Sequence, residues 1–160
     1  MEAWADFFNS QQATAATLAG LIFVGLTLNL EKILSSPALP DRAAQALIQF
    51  IVVLLISMTQ LIPEQTLQSF GRQVLQFSLI SSALILYLDI RMIRLSEPAF
   101  RRTNILNLVL NIPPMVLFVL GGIQLLADDI SGMDFLVSAF TWCYIKAVID
   151  AWTLTVEINR

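Results

Sequence analysis

Histidine is absent from this chain, and cysteine occurs once, at Cys143. These absences exclude zinc and haem sites built on histidine or on several cysteines, and they exclude a disulfide within the chain. Charged residues are also scarce, at 13% of 160 residues, whereas soluble domains contain about 25%. A soluble domain is therefore not the expected product of this sequence.

Catalytic signatures are missing as well. The sequence contains no glycine-flanked serine nucleophile, no phosphate-binding loop and no pair of carboxylates placed for one site. Its basic residues are scattered and its net charge is −3, so nothing favours nucleic acid as a partner. We expect a protein that is not an enzyme and that uses no cofactor and no metal.

Hydrophobic residues are abundant, at 57%, and they gather in long runs. Each run is close to the ~20 residues that cross ~30 Å of hydrocarbon, and none alternates with the period of two that marks a membrane β-strand. Short loops separate the runs, so consecutive helices should be antiparallel. The sequence predicts an all-α, polytopic transmembrane helical bundle in one domain, with five spans at about 13–30, 46–62, 74–93, 105–126 and 135–156.

The distribution of basic residues predicts how the bundle is oriented. With five spans, the two termini lie on opposite sides of the membrane. The side of the C-terminus then carries most of the basic residues: Lys32, Arg42, Arg91, Arg94, Arg101, Arg102 and Arg160. The other side carries only Arg72. The positive-inside rule therefore predicts an N-terminus outside and a C-terminus inside.

Residues 1–12, MEAWADFFNSQQ, lack the basic region of a cleaved signal peptide, so we expect them to be retained. Trp4, Phe7 and Phe8 recur at helical spacing. This pattern suits a short helix lying in the outer interface, or equally an aromatic anchor that precedes the first span.

The first span contains two overlapping pairs of small residues. Ala15 and Ala19 lie four apart, as do Ala16 and Gly20. Small residues at this spacing let helix backbones approach closely in a membrane. The pairs predict either packing inside one bundle, or self-association or pore lining.

The fourth span is the most irregular. Pro113 and Pro114 each lack an N–H group, which predicts a kink and frees carbonyl groups four residues earlier. Asn107 and Asn111, together with Asn104, lie on one strip of the same helix. They could satisfy the freed carbonyls or bond a neighbouring helix. The span is either a packed structural helix or part of a binding path near the membrane midplane.

Two opposite charges lie inside the fifth span, at Lys146 and Asp150. An unpaired charge at this depth costs at least ~2.5–3.5 kcal/mol. A spacing of four puts both side chains on one face, so each can offset the other. The pair is either a buried structural ion pair or an ion-responsive pair that lines a pathway. Asp89 and Arg91, near the inner end of the third span, are expected to reach the interface.

Several stretches resemble a family of small bacterial membrane proteins. They are WADFF, ATLAGLIFVGLTLNLEKIL, PALPDRA, LIPEQ and the closing DAWTLTVEINR. Members of this family often carry the label "modulator of FtsH protease". The resemblance implies a bacterial inner (plasma) membrane protein that crosses the membrane several times, and it assigns no residue a role.

Two functions remain open at this point. The first is a non-enzymatic, self-associating membrane interaction or regulatory protein, in contact with the lipid bilayer and with a membrane protein partner. The second is an oligomeric ion channel or small transporter. Because five spans with few polar faces do not enclose a wet path in one protomer, the second function needs a polar path on a shared axis.

Overall fold

The computed structural model describes residues 2–35, 38–95 and 100–158, and these residues form helices and no strand. A short 3-10 turn precedes six α-helices in this part of the chain: α1 (Ala5–Leu28), α2 (Leu30–Leu34), α3 (Leu39–Gln60), α4 (Leu67–Leu95), α5 (Arg101–Leu126) and α6 (Gly132–Ile158). All but α2 are long and apolar enough to span a membrane. The predicted all-α chain with five such helices is confirmed. Its orientation stays a prediction, and Arg160 lies outside the described residues.

Helices α3 to α6 form a four-helix bundle in which each helix packs on the next and α6 closes against α3. Helix α1 lies outside this bundle and packs mainly on α3. Because consecutive bundle helices alternate in direction, α3 and α5 run parallel to each other. The starts of α3 and α5 and the ends of α4 and α6 therefore meet at one end, which we call the inner end.

The chain turns where its residues cannot continue a helix. Pro40 lies in the first turn of α3, where its missing N–H group is not needed. Helix α3 ends at Gln60, shortly before Pro63. The backbone at Asp128, with a φ of 64°, turns the chain sharply between α5 and α6. These breaks coincide with the loop residues that separate the apolar runs of the sequence.

The first residues of the chain belong to the bundle. Helix α1 begins at Ala5, so the described part of residues 1–12 is largely the start of α1 and not a separate interfacial helix. Phe8 is fully buried. The centroid of its ring lies 5.7 Å from that of Phe70 and 5.9 Å from that of Phe140, and both ring pairs are edge to face. Burying these rings removes a large apolar area from water and headgroups, which explains why the aromatic residues point inward.

Glycine permits a close contact at the end of the bundle opposite the inner end, where α5 ends and α6 begins. A Cβ atom at Gly132 would lie 2.6 Å from the carbonyl oxygen of Gly121, so α5 and the start of α6 touch through their backbones. The core beside this contact is apolar and includes Val53, Ile56 and Phe118. The inner half of the bundle differs because it also buries several polar and charged side chains.

Candidate functional site

Three polar pairs cross the inner half of the bundle between α3 and α5. Two of the hydrogen bonds are short, from Asn107 Nδ2 to Gln45 Oε1 at 2.8 Å and from Gln49 Nε2 to Asn111 Oδ1 at 3.0 Å. The third, from Arg42 to Asn104 Oδ1, is longer at 3.4 Å. The partners in every pair are 62 residues apart in sequence. Because α3 and α5 run parallel with this constant offset, the pairs stack as rungs, and we call them the polar ladder.

Asp89 on α4 joins the rungs together. Its Oδ1 atom accepts hydrogen bonds from Gln45 Nε2 and Asn107 Nδ2, both at 2.8 Å, and its Oδ2 atom accepts one from Asn111 Nδ2 at 2.9 Å. The side chain has no exposed surface. The expectation that Asp89 reaches the interface is therefore wrong, because three amide donors from two neighbouring helices stabilise the carboxylate inside the bundle.

Arg91 stays at the surface of the bundle, and its position at the membrane interface remains a prediction. Its side chain is half exposed, and its Nε atom lies 3.4 Å from Oδ2 of Asp41, which is itself buried. This ion pair links the ends of α4 and α3 beside the ladder. The carboxylate of Asp41 thus gains a cation that reaches solvent, while Asp89 depends on buried partners only.

Lys146 and Asp150 on α6 form the ion pair that their spacing predicts. Their Nζ and Oδ2 atoms are 2.5 Å apart, and their side chains are 1% and 2% exposed. Lys146 Nζ also donates to Asn107 Oδ1 at 2.9 Å. The pair is therefore attached to the middle rung of the ladder, and it draws α6 into the same network as the other three bundle helices.

The buried charges balance only when one cation at the surface is included. Among the described residues, the buried acids are Asp41, Asp89 and Asp150, and the buried bases are Arg42 and Lys146. Arg91 supplies the third cation from the surface. Removing one member of such a set leaves a buried charge without compensation, which costs about 3–5 kcal/mol. The arrangement therefore fixes the relative positions of four helices.

Gln49 is the last residue of the ladder toward the middle of the bundle. Its Nε2 atom is bonded to Asn111, but its Oε1 atom is buried and has no hydrogen-bond partner among the described residues. The last group of the ladder is therefore the unpaired Oε1 atom of Gln49, a hydrogen-bond acceptor. Beyond it, Val53 of α3 and Phe118 of α5 are fully or almost fully buried.

Helix α5 continues through Pro113 and Pro114. Pro114 removes the N–H group that would bond the carbonyl of Leu110, and the indole Nε1 of Trp142 donates to that carbonyl instead, at 2.9 Å. The ladder asparagines are therefore not used for the freed carbonyl of Leu110. Of the two alternatives considered for Asn107 and Asn111, bonding to neighbouring helices is the one observed.

The two small-residue pairs of α1 are used differently. Ala15 is fully buried and Ala19 is half buried, so this pair packs within the protomer. Ala16 and Gly20 are exposed, and a Cβ atom added to Gly20 would meet nothing within 4 Å. The structure thus assigns one pair to internal packing and leaves the other on the surface.

A groove separates the second half of α1 from α6. Its volume is about 360 Å³, and its walls are mostly apolar, with Leu18, Gly25, Phe50, Val148 and Leu154 among them. The side of α1 that carries Gly25 is turned toward this groove, whereas Ala16 and Gly20 lie on a different side of the helix. Helix α1 is therefore held to the bundle chiefly through α3 and through its N-terminal aromatic residues.

Several members of the network were not singled out from the sequence, namely Arg42, Gln45, Gln49 and the buried Asp89. A signal for three of them was present. The polar residues of α3 at 42, 45 and 49 have the same spacing as the asparagines of α5 at 104, 107 and 111. Matching polar spacings in two otherwise apolar spans predict that the two strips face each other.

Comparison of the chain with protein-family models, with curated proteins and with solved structures gives no match.

Proposed function

We propose that this protein is a non-enzymatic membrane protein that acts by binding other membrane helices, a second copy of itself first among them. The binding surface is the exposed side of α1 formed by Ala16, Gly20, Phe23 and Thr27, which we call the α1 face. Its members are spaced by four, three and four residues and therefore share one side of the helix.

The main support for this proposal is the open surface around Gly20. A glycine in the interior of a helix is less favourable than alanine by roughly 0.5–1 kcal/mol. Within the protomer, Gly20 makes no close contact that would explain this cost. In lipid, where no hydrophobic effect drives helices together, small residues favour association because they allow close backbone packing. A partner helix on the α1 face would use Gly20 in this way.

The polar side chain of the α1 face, that of Thr27, already has a hydrogen-bond partner within the helix. The hydroxyl of Thr27 donates to the carbonyl of Phe23 at 2.8 Å. Phe23 is 63% exposed and lies between Gly20 and Thr27 on the same side of the helix. The face therefore offers a partner a small-residue hollow bordered by one large aromatic side chain, with no buried polar group left to be bonded.

An oligomeric ion channel or small transporter is the second candidate, and the buried charges favour it. Ionisable residues inside membrane spans often mark ion pathways. In this protein, however, Lys146 and Asp150 are almost fully buried in one protomer and bonded to each other, as is expected of a structural pair. Passage of ions across liposomes that contain the purified protein would favour the channel, and tight liposomes under several gradients would exclude it.

The proposal includes location in the inner membrane of a bacterium. It is supported by the family resemblance of the terminal sequences and by the excess of basic residues at one end of the bundle. A different membrane protein would contact the same α1 face, so the oligomeric state of the purified protein separates self-association from binding of such a partner.

Two matched substitutions test the α1 face. Gly20→Leu fills the hollow and should shift the protein toward monomer in lipid, as measured by native mass spectrometry or by single-molecule photobleaching. Gly25→Leu is the control, since Gly25 is in the same helix and is equally open, yet it lies beside the α1–α6 groove. If wild type is monomeric at all protein-to-lipid ratios, or if both variants dissociate equally, the proposed self-association is wrong.

A further inference from the structure

Two exposed arginines lie at the inner end of the bundle, where α4 ends and α5 begins. Arg94 lies in the last turn of α4 and Arg101 in the first turn of α5. Helices α4 and α5 pack against each other along their lengths, and a short connection joins them. Their two arginines therefore lie at the same end of one helical hairpin.

Neither arginine has an ion-pair partner among the described residues. Two other arginines at this end are engaged, since Arg91 lies 3.4 Å from Asp41 and Arg42 is bonded to Asn104. The first turn of α5 contains no acidic residue. The inner end of the α4–α5 hairpin therefore presents positive charge that the described part of the chain does not neutralise.

Each of the two arginines lies at the inner end of a strip of exposed apolar residues on its own helix. On α4, Ile90 and Tyr87 precede Arg94 by four and seven residues and are 40% and 63% exposed. On α5, Ile105 and Ile112 follow Arg101 by four and eleven residues and also face outward. Residues at these spacings share one side of a helix. Positive charge and lipid-facing apolar surface are thus aligned on two adjacent helices.

We infer that this surface binds an anionic phospholipid, with its headgroup between Arg94 and Arg101 and its acyl chains along the two apolar strips. The guanidinium group bonds phosphate oxygens in a bidentate manner, which a lysine does not reproduce. An anionic headgroup is favoured over a zwitterionic one, because the latter carries its own cation. This surface lies on α4 and α5, so the inference does not depend on the α1 face or on self-association.

Lipid selectivity provides the test. Native mass spectrometry of the purified protein, titrated with phosphatidylglycerol or with phosphatidylcholine of identical acyl chains, should show preferential binding of phosphatidylglycerol. One basic residue near the membrane surface contributes about a fivefold preference, so Arg94→Gln combined with Arg101→Gln should lower it about 30-fold. Each single substitution should lower it about fivefold, which tests the inference even if the double variant fails to fold.

Arg72→Gln is the matched control, because Arg72 is an exposed arginine on the same helix as Arg94 but at its opposite end. This variant should keep the preference of wild type. Equal binding of the two lipids by wild type would overturn the inference. So would an unchanged preference in the Arg94 and Arg101 variants, or an equal loss in Arg72→Gln, which would indicate a general effect of surface charge.

Discussion

Trp142 replaces the hydrogen bond that Pro114 removes. Its indole Nε1 donates to the carbonyl of Leu110 at 2.9 Å, which is the carbonyl four residues before the proline. A side chain of α6 thus completes the backbone hydrogen bonding of α5. The irregular sequence of the fourth span is consequently tied to the fifth span at one specific carbonyl group.

Trp142→Phe should destabilise the protein by about 1–3 kcal/mol, because it leaves the Leu110 carbonyl without a donor in an environment with little water. Thermal unfolding in detergent measures the effect. Trp152→Phe is the control, since Trp152 is on the same helix but is 70% exposed. Combining Trp142→Phe with Pro114→Ala, which restores a backbone donor, should recover part of the loss, and an equal loss in both backgrounds would contradict the explanation.

Lys146→Met should be more destabilising than Lys146→Met combined with Asp150→Leu. The single change leaves the Asp150 carboxylate buried and unpaired, at a cost of about 3–5 kcal/mol, whereas the double change removes both charges. The denaturation midpoints of the two variants in detergent should be compared, and the single variant should have the lower midpoint. Should the double variant prove as unstable as the single one, the ion pair would not be the main contribution of these side chains.

Asp89→Asn keeps the shape of the side chain but replaces an acceptor oxygen with a donor. The new N–H group would face amide donors from Gln45, Asn107 or Asn111, so at least one buried donor loses its partner, at a cost of about 1–3 kcal/mol. Loss of the negative charge also leaves two acids, Asp41 and Asp150, against three cations, Arg42, Arg91 and Lys146. Equilibrium unfolding should therefore show a clear loss of stability.

Asp128→Asn is the matched control for that substitution. Asp128 is exposed, and its φ of 64° is one that asparagine also adopts readily. This variant should unfold like wild type. Equal stability of Asp89→Asn and wild type would show that the carboxylate is not the centre of the network.

Asp129 in the turn before α6 should titrate below its usual range. The backbone N–H of Ser131 donates to its Oδ1 atom at 2.9 Å, which lowers the pKa of this carboxyl below 3.8. A lowered pKa means that the turn gains stability above the ordinary pKa and loses it as the pH falls through the lowered value. The ¹³C shift of the Asp129 carboxyl, followed against pH, gives the midpoint.

Ser131→Pro removes this donor and should raise that midpoint. A midpoint in wild type at or above the ordinary value, or the same midpoint in both proteins, would contradict the assignment.

Much of the fold follows from the sequence because membrane spans have a strong signal. Long apolar runs without a period of two indicate helices, and Pro40, Pro63 and the acidic turn near Asp128 separate them. The spacing of Lys146 and Asp150 was enough to pair them, since a helix places such residues side by side.

Other contacts depend on which helices are neighbours, which a single span does not reveal. Asp89 lies near the end of its helix, so an interfacial position was the simpler expectation. Its burial follows only from the arrival of Gln45 and Asn107 from two other helices. The inward direction of Phe8 has the same origin, because the rings that cover it come from α4 and α6.

The constant offset of 62 residues within the polar ladder also has a consequence during synthesis. Gln45 and Gln49 leave the ribosome long before Asn107 and Asn111. At about 5–20 residues per second, their partners follow only after about 3–12 s. During that interval α3 carries polar side chains that lipid does not satisfy. Helix α3 should therefore remain beside the insertion machinery until α4 and α5 have been made, and release of the nascent bundle into lipid should follow completion of α5.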